Sequence, residues 1–408
     1  MFREKAFLDA TIFTGPLTWR ICRAAGICEI VRDMVASEEP GKERIWRCLH
    51  CRGPLASDPL GLRCPGCGKR YPVVGGIPIL VGEPARYLHS EIILLACASR
   101  DARVRRDLLE GIGRDKGLPE VSLERHRDVL DATITRAETL LVLLEPAAKA
   151  LQALPDAAGE SLGAWRSSWE FNSLFPYLAR DWTNTSELEA MNSRIGAALR
   201  EVFLDPSGKS VVFAGCGAGG LLAETSSDFG RVLGFDLALP LLAAARHLLD
   251  GKSLDLPLPR AIIESGRISL GKRDPSATTS HVELLAMDAL DTAFVDGSID
   301  CVVTSFLMDL IPDPRKLADE IHRILSGDGV WINYGPPGQL EALWRFDQME
   351  TAAFFEATGF TAIRSEAHRT TYLDLSRDCP RWPFRSHICY LTSARKTGRG
   401  GERPSTPT

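Results

Sequence analysis

The spacing of apolar and polar positions changes character several times along the chain. Apolar residues recur at helical spacing from Tyr87 to Leu154 and again from about Leu162 to Phe203. A shorter stretch from Leu17 to Val35 has the same spacing and predicts one further helix. Residues 41–84 lack this periodicity and are dense in Cys, Gly and Pro. The first half of the chain is therefore predicted to be helical, apart from one compact module of irregular backbone.

The second half follows a different pattern, in which short β-branched runs alternate with helical segments. The runs are Ser210–Ala214, Arg231–Phe235, Val282–Ala286, Ile299–Thr304 and Gly329–Tyr334, with helical patterns at 219–226, 238–250 and 314–325. A helix at 347–358, an apolar stretch at 361–365 and a late strand at 387–394 follow. Repeated strand, helix and strand predict an α/β fold with a doubly wound parallel sheet covered on both faces.

Changes in composition divide the chain into five segments. These are an extension (1–40), the Cys-rich module (41–84), a helical region (85–160), an α/β domain with its leading helices (161–396) and a tail (397–408). The tail is rich in Gly, Arg, Pro and Thr, and we expect it to be disordered.

Composition and charge exclude several classes of protein. Apolar residues make up 45% of the 408 residues and charged residues 25%, as in soluble globular proteins. No apolar run reaches the ~18–20 residues of a membrane span, and the first residues lack a secretory pattern. The net charge of −5 argues against a cationic nucleic-acid binder as a whole. Eleven cysteines without a signal indicate reduced thiols and a cytoplasmic protein.

Two Cys-x-x-Cys knuckles predict a metal site in the Cys-rich module. Cys48 and Cys51 are separated by 12 residues from Cys64 and Cys67, so a hairpin can bring four thiolates around one Zn²⁺. Four ligands leave no open position, which makes the zinc structural rather than catalytic. A redox Cys pair is the alternative, although such a pair usually occurs singly beside a βαβ unit.

The surroundings of these cysteines bear on the module's partners. Seven basic and two acidic residues between 41 and 72 give a local charge of +5, which suits either RNA phosphates or an ordinary solvated surface. The ending Tyr71-Pro72 to Gly76-Ile77-Pro78-Ile79-Leu80 resembles the small zinc-ribbon activator of tRNA and protein methyltransferases and related bacterial ribbon proteins. The resemblance covers about residues 45–82.

A glycine-rich turn after the first strand of the α/β domain predicts a nucleotide-type cofactor site. Gly215, Gly217 and Gly219 stand between the strand and a helix, where glycine allows a sharp turn and close approach of a ligand. Gly220 also meets the dinucleotide spacing, so the spacing alone leaves NAD open. Asp236, at the end of the second strand, can bind ribose hydroxyls or cap a helix. Asp288, after the third strand, can accept from an adenine amino group.

This order of a glycine turn with an acid after strands two and three resembles class I S-adenosylmethionine-dependent methyltransferases. The resemblance implies a Rossmann-like methyltransferase sheet, with S-adenosylmethionine bound at the glycines, Asp236, Asp288, Ala289 and Phe306. In this family a methyl group moves in line from a sulfonium to an acceptor, so most of the catalysis is positioning.

Three further segments resemble the carnosine N-methyltransferase family over about residues 170–396. They are Phe175 to Trp182, Phe306-Leu307-Met308-Asp309, and Trp331-Ile332-Asn333-Tyr334-Gly335-Pro336. The resemblance implies that Asp309 contacts the acceptor and that Asp181, Trp182 and Tyr334 bind substrate. For Asp181 a salt bridge or cap, and for Trp182 core packing, are the alternative interpretations.

The chain departs from that family near the acceptor pocket. Pro337-Gly338-Gln339 replaces the family's Tyr-His pair, and Phe384-Arg385-Ser386-His387 replaces its late tyrosines. His387 then substitutes for a lost tyrosine as a second catalytic candidate, and Arg385 can pair with a substrate carboxylate. A strand-face histidine and a solvated arginine are the alternatives.

Together these features predict a methyltransferase acting on a nitrogen, imidazole or amine, of a small molecule or peptide, without a membrane partner. The alternatives are a peptide carboxylate O-methyltransferase of natural-product maturation and an RNA methyltransferase that uses the basic ribbon. A non-catalytic partner that binds cofactor is a further alternative.

Overall fold

The structure is a computed structural model that describes residues 45–59, 61–154, 171–182, 186–225, 228–258, 266–270, 282–336, 346–372 and 385–397. The predicted extension over 1–40 and the tail beyond Thr397 lie outside these residues.

The five strands predicted between residues 210 and 334 are present in the predicted order, and further strands lie in the Cys-rich module and between residues 254 and 270. The helices are α1 (Pro84–Lys116), α2 (Glu120–Leu143), α3 (Glu145–Ala153), α4 (Phe171–Trp182), α5 (Ser186–Val202), α6 (Gly220–Thr225), α7 (Leu239–Leu249), α8 (Pro314–Ile324) and α9 (Gln348–Ala357). The strands are β1 (Ala56–Asp58), β2 (Gly61–Arg63), β3 (Arg70–Val74), β4 (Ile77–Leu80), β5 (Ser210–Ala214), β6 (Arg231–Asp236), β7 (Leu254–Leu258), β8 (Gly266–Leu270), β9 (Val282–Met287), β10 (Ile299–Ser305), β11 (Leu325–Gly335), β12 (Phe360–Tyr372) and β13 (Arg385–Lys396).

Within the described residues, 11 strands form one sheet in the order β1-β2-β3-β4-β9-β6-β5-β10-β11-β13-β12. Within this order, the successive pairs from β4 through β9, β6, β5 and β10 to β11 are parallel. Strand β13 runs antiparallel to both β11 and β12. The predicted α/β fold is thereby confirmed, with a mixed rather than wholly parallel sheet. Strands β12 and β13 are consecutive in the order of described strands and pair antiparallel at this end of the sheet.

The Cys-rich module joins this sheet instead of standing apart from it. Strand β4 pairs in parallel with β9, with Ile79 opposite Ala286 and Leu80 opposite Met287. A second contact is made by the Arg47 backbone N–H, which donates to the Ala293 carbonyl at 2.8 Å. Leu80, Leu285 and Met287 are all buried in one core, so the module and the α/β domain share apolar packing.

Helix α1 continues directly from the module and packs on the end of β6. The Tyr87 hydroxyl donates to the Leu237 carbonyl at 2.9 Å, and the Glu91 carboxylate accepts from the Leu239 backbone N–H at 3.1 Å. Both side chains are almost fully buried. Helix α2 lies against α1, where a Cβ at Gly113 would overlap the Leu123 side chain. The helical region therefore fixes the connection between β6 and α7.

Candidate active site and metal centre

The glycine turn leaves β5 at the carboxyl edge of the parallel strands. Gly215, Gly217 and Gly219 have φ angles of 67°, 56° and 81°, a region that side chains with a Cβ rarely adopt. A Cβ at Gly215 would lie 3.0 Å from Leu307 Cδ1, and one at Gly220 would lie 2.3 Å from the Asp181 carbonyl oxygen. The sequence needs glycine here for both backbone conformation and close packing.

Helix α4 holds this turn from one side. The Asp181 carboxylate accepts from the Ala218 backbone N–H at 3.1 Å, and the Trp182 indole N–H donates to the Ala218 carbonyl at 2.7 Å. Asp181 also pairs with Arg180 at 2.6 Å. Both predicted substrate residues are buried and contact the glycine turn. Their contact with a substrate stays a prediction.

Asp236 holds the turn from the other side. One carboxylate oxygen accepts from the Gly217 N–H at 2.9 Å, and the other accepts from the Ala238 N–H at 2.8 Å. Burial raises the pKa of Asp236, while these backbone hydrogen bonds lower it. The carboxylate thus links the first two strand ends, and its predicted grip on a ribose remains open to test.

Asp288 and Ala289 follow β9, the strand that pairs with β4 of the module. Asp288 accepts from the Leu290 backbone N–H at 2.9 Å, which forms a tight turn, and Ala289 is buried beside it. The structure places both residues at the same edge of the sheet as Asp236, where the sequence predicts an adenine contact.

A small cavity opens between the glycine turn and helices α4 and α5. Its lining includes Gly215, Cys216, Ser305 and Met191, together with Arg180. Arg180 lies within the segment from Phe175 to Trp182 and was not predicted as a site residue; its guanidinium is paired with Asp181 at the cavity wall.

The backbone bends sharply where β10 ends, which positions the predicted acceptor carboxylate. Phe306 has a φ of 52°, an uncommon value for a bulky residue, and its N–H donates to the Tyr334 carbonyl at 2.8 Å. A 3₁₀ turn at Met308–Leu310 follows and carries Asp309. The Phe306 ring lies edge-on to Tyr334, with ring centroids 5.9 Å apart. The bend therefore places Phe306 and Asp309 beside the end of β11.

Asp309 is electrostatically unusual. Its buried Oδ1 has no hydrogen-bond partner among the described residues, and a Cβ at Gly335 would lie 4.0 Å from it. Burial raises the pKa of this carboxyl to about 6. A desolvated carboxylate with one oxygen unpartnered is suited to receive a proton or hydrogen bond from a ligand.

Tyr334 connects Asp309's surroundings to the antiparallel end of the sheet. The Tyr334 hydroxyl lies 2.5 Å from Thr370 Oγ1, and burial raises the pKa of Tyr334. Thr370 stands opposite His387 in the β12–β13 register, and His368 stands opposite Cys389. The structure thus gathers Asp309, Tyr334 and His387 at one end of the sheet. Arg385 lies in β13 opposite Tyr372, and its side chain is outside the described set.

The sequence analysis singled out neither Thr370 nor Cys389, which complete this cluster. Burial and the nearby Asp309 charge raise the pKa of the Cys389 thiol to about 12, so it is a neutral, packed group. Only the strand register shows that they face the same side chains.

Four cysteine sulfurs converge in the module as its two knuckles predict. The Sγ atoms of Cys48, Cys51, Cys64 and Cys67 all lie within 4.8 Å of one another. Cys48 and Cys67 are 3.5 Å apart and Cys51 and Cys64 are 3.3 Å apart. Zn–S bonds of ~2.3 Å place tetrahedral sulfurs roughly 3.8 Å apart, so this donor set fits one Zn²⁺.

The backbone of both knuckles is shaped for this convergence. The N–H of Arg52 donates to the Cys48 carbonyl and that of Gly68 to the Cys64 carbonyl, at 2.8 and 2.9 Å. Both donors have left-handed backbones, with φ of 59° and 76°. The Tyr71 hydroxyl lies 3.3 Å from Cys48 Sγ and supports that thiolate. Zinc binding itself stays a prediction that this geometry suits.

Two of the module's seven basic residues face acids of the α/β domain. Arg47 pairs with Asp296 at 2.8 Å, and Arg52 pairs with Asp291 and donates to the Thr292 carbonyl. These arginines therefore contribute to docking of the module on the domain. In the described part of the chain, no helix is long and apolar enough to cross a membrane.

Comparison with known proteins adds a family assignment for the central strands. Residues 212–332 match a family model described as a methyltransferase domain. A demethylmenaquinone methyltransferase of Paenarthrobacter aurescens (strain TC1) is 24% identical over 128 residues, or 31% of this chain. The chain spans about half, 48%, of the length of that curated relative.

Two solved structures are similar at lower identity. One is phospholethanolamine N-methyltransferase 2 of Haemonchus contortus, with 18% identity, a TM-score of 0.39, and coverage of 57% of this chain and 59% of that one. The other is the complex of the Haloferax volcanii Trm112 methyltransferase activator with a methyltransferase, with 18% identity, a TM-score of 0.37, and coverage of 57% and 99%. Similarities of this size carry no inference about substrate. The family match and the observed sheet together identify a class I S-adenosylmethionine-dependent methyltransferase domain in this chain.

Proposed function

We propose that the protein transfers a methyl group from S-adenosylmethionine to a nitrogen, imidazole or amine, of a small molecule or peptide. The observation that carries this proposal is the Asp309 carboxylate at the end of β10, buried and with Oδ1 unpartnered. A nitrogen acceptor brings an N–H that this oxygen can bind, whereas a carboxylate acceptor would be repelled by it.

The residues around the cavity divide into a donor half and an acceptor half. We define the donor half as the glycine turn with Asp181, Asp236 and Asp288, and the acceptor half as Asp309, Tyr334, Thr370, His387 and Cys389. S-adenosylmethionine supplies a methyl group on a sulfonium when bound. In the donor half, Asp236 orients the glycine turn through the Gly217 N–H, and Arg180 offers a cation to the cofactor's carboxylate.

In the acceptor half, Asp309 holds the acceptor N–H so that the nitrogen lone pair faces the methyl group. A carboxyl with a pKa of about 6 is ionised at neutral pH, yet basic enough to take the proton that the methylated nitrogen releases. Tyr334, held by Thr370, forms one wall of the pocket, and His387 is a further hydrogen-bonding candidate across the strand register from Thr370.

The finer family relationships belong to this proposal. The Asp309 turn, the Tyr334 strand and the late strands support a relationship to the carnosine N-methyltransferases. The four-cysteine cluster and the pairing of β4 with β9 support a ribbon related to the small methyltransferase activators, with one structural Zn²⁺. In this arrangement the ribbon extends the sheet beside the strand that carries Asp288.

The alternative acceptors are less well supported. An RNA methyltransferase would need the ribbon's basic residues for phosphates, but Arg47 and Arg52 already pair with Asp296 and Asp291. A carboxylate O-methyltransferase would bring a second negative charge to the buried Asp309, which is unfavourable in a desolvated site.

The test is transfer of labelled methyl from S-adenosylmethionine to pools of imidazoles, amines, carboxylic acids, peptides and RNA. We expect base-stable label in the imidazole or amine pool. Asp309→Asn should lower kcat by about 10²–10⁴-fold with cofactor binding unchanged, because it removes the proton acceptor. Asp319→Asn, on the exposed face of α8, is the matched control and should retain activity. Label in base-labile esters, or an active Asp309→Asn protein, would contradict the proposal.

A further inference from the structure

Helix α1 presents two polar side chains to the connection between β6 and α7. Tyr87 and Glu91 are four residues apart in this helix, so they lie on the same face of it. Tyr87 is 2% exposed and Glu91 is 1% exposed. Burial of a carboxylate to this extent is costly unless it accepts hydrogen bonds from the protein. The contacts that Glu91 makes here therefore indicate what it does.

Both side chains hold the residues that directly follow Asp236. The Tyr87 hydroxyl donates to the Leu237 carbonyl at 2.9 Å, and the Glu91 carboxylate accepts from the Leu239 backbone N–H at 3.1 Å. Helix α1 thus binds one backbone acceptor and one backbone donor within the first three residues after this carboxylate. The position of that short segment depends on a helix that lies outside the matched methyltransferase domain.

Helix α7 supplies no cap of its own at this point. Ala238, at the N-cap, makes no side-chain hydrogen bond, and the first turn of α7 contains no acidic residue. The first backbone N–H groups of a helix have no partner within the helix and need one from elsewhere. Here Asp236 accepts from the Ala238 N–H at 2.8 Å, and Glu91 accepts from the next one. The start of α7 is therefore held by Asp236 and by α1.

The same groups form one compact cluster around Asp236. Burial raises the pKa of Tyr87, and the nearby charges of Glu91 and Asp236 raise it further, so the hydroxyl remains a neutral donor. The second oxygen of Asp236 accepts from the Gly217 N–H in the glycine turn at 2.9 Å. A shift at the start of α7 would consequently move the Asp236 carboxylate relative to the glycine turn.

We propose that Glu91, assisted by Tyr87, is a positioning residue for the methyl donor and holds the start of α7 so that the Asp236 carboxylate faces the ribose of S-adenosylmethionine. This inference rests on the proposed function, because it takes that nucleoside as the bound cofactor. Glu91 acts through the backbone next to Asp236 rather than by contact with the cofactor. A carboxylate that is aligned before the ligand arrives reduces the ordering that binding requires, which increases affinity.

The experiment measures binding of S-adenosylhomocysteine to the intact protein by calorimetry. Glu91→Ala should raise the Kd by about 5- to 10-fold, because Asp236 loses its alignment. Glu91→Gln keeps an oxygen that accepts from the Leu239 N–H and should restore the Kd to within about twofold of native. Tyr87→Phe loses only the hydroxyl and should raise the Kd by about 2- to 3-fold.

Two readouts separate positioning from a loss of stability alone. An analogue of S-adenosylhomocysteine without ribose hydroxyls should bind the native protein about tenfold more weakly, and this ribose dependence should shrink in Glu91→Ala. In steady-state methyl transfer, Glu91→Ala should raise the KM for S-adenosylmethionine and leave kcat and the acceptor KM near their native values. A protein that is merely less stable would lose affinity for both ligands by the same factor.

Ser99→Ala is the matched control. Ser99 is buried further along α1, and its hydroxyl donates to Glu138 of α2 at 3.0 Å. Its removal should lower the free energy of unfolding but leave the Kd and the ribose dependence native. If Glu91→Ala does not fold, Tyr87→Phe supplies the same two readouts.

The outcomes distinguish this inference from the proposed function. A native Kd in Glu91→Ala, an undiminished ribose dependence, or an equal loss of affinity in Ser99→Ala would overturn the role of Glu91. Native protein that does not bind S-adenosylhomocysteine at all would reject the methyltransferase proposal together with it. Label found only in esters would reject the nitrogen acceptor, whereas the expected changes in Kd would still support the role of Glu91.

Discussion

Two buried carboxylates lie at the ends of parallel strands in this sheet, and their surroundings differ. Asp236, in the donor half, gives both oxygens to backbone N–H groups of Gly217 and Ala238. Asp309, in the acceptor half, has an Oδ1 without a partner in the described structure. Burial raises the pKa of both, but only Asp236 has protein donors on both oxygens that oppose the effect.

The difference indicates how the two halves work. The donor half is satisfied internally, so its shape is set before a cofactor arrives, and glycines keep the space open. The acceptor half retains unpaired charge, which a ligand must complete. The donor half is also braced from outside by the ribbon strand β4 and by Tyr87 and Glu91 of α1, whereas the acceptor half depends on α5 and the strand pair β12–β13.

The largest expected effect comes from removing the metal centre, which should separate the two halves. Cys48→Ser combined with Cys67→Ser should abolish binding of about one zinc per chain and destabilise the ribbon by roughly 5 kcal/mol or more, because the thiolates no longer hold the hairpin. Amide hydrogen exchange should rise in β4 and β9 and change little in β12 and β13.

Cys97→Ser supplies the matched control, since Cys97 lies in α1 outside the cluster. The Cys97→Ser protein should retain its bound zinc and a native free energy of unfolding. A double variant with native stability and unchanged exchange in β9 would show that the ribbon does not brace the donor half.

A smaller effect is expected for Asp236→Ala, which removes the hydrogen bonds that the carboxylate accepts within the donor half. The change leaves two buried N–H donors without acceptors, so the free energy of unfolding should fall by about 2–4 kcal/mol. Affinity for S-adenosylhomocysteine should fall at least tenfold, as measured by calorimetry. Asp319→Ala, on the exposed face of α8, should alter neither value. Native affinity in Asp236→Ala would mean that the turn needs no such brace.

Asp309→Asn should have the opposite effect on stability, which sharpens the contrast. Burial raises the pKa of Asp309 from 3.8 to about 6, so above pH 6 the folded protein bears a charge that it solvates poorly. The amide should therefore stabilise the fold at pH 7.5 by up to about 3 kcal/mol. This gain should shrink as the pH falls from 6 towards 4, because the Asp309 carboxyl becomes protonated in the folded state, and it is lost below 3.8, where the unfolded state is protonated too.

Chemical denaturation at pH 7.5 and pH 4 measures this difference. A destabilised Asp309→Asn protein at pH 7.5 would indicate that the carboxylate has a compensating partner, and the contrast with Asp236 would be lost.

The sequence predicted those parts of the fold that depend on local pattern. The strands around Val211 and Val302, the glycine turn and the four cysteines follow from periodicity and spacing. The pairing of β4 with β9 was not predicted, because Ile79 and Ala286 are separated by some two hundred residues and nothing local encodes their register. The antiparallel pair of β7 and β8 was not predicted either, because the apolar run of β7 is short and contains Pro257.

The candidate site divides in the same way. Asp236 and Asp309 follow recognisable strands, so their positions at the sheet edge were predictable. Thr370, by contrast, is brought to Tyr334 only by the register of two late strands.

The smallest effect is expected at Arg52, in the ribbon at the opposite end of the sheet from β12 and β13. Its pair with Asp291 is largely exposed, with 41% and 53% of the two side chains accessible, so Arg52→Met should cost less than about 1 kcal/mol. Its left-handed φ of 59° is unaffected, because methionine carries the same Cβ. Zinc content and methyl transfer should remain native. If Arg52→Met instead abolished methyl transfer to small acceptors, or if RNA proved to be methylated and that activity alone were lost, the ribbon's basic face would be part of the substrate site and the division into two halves would fail.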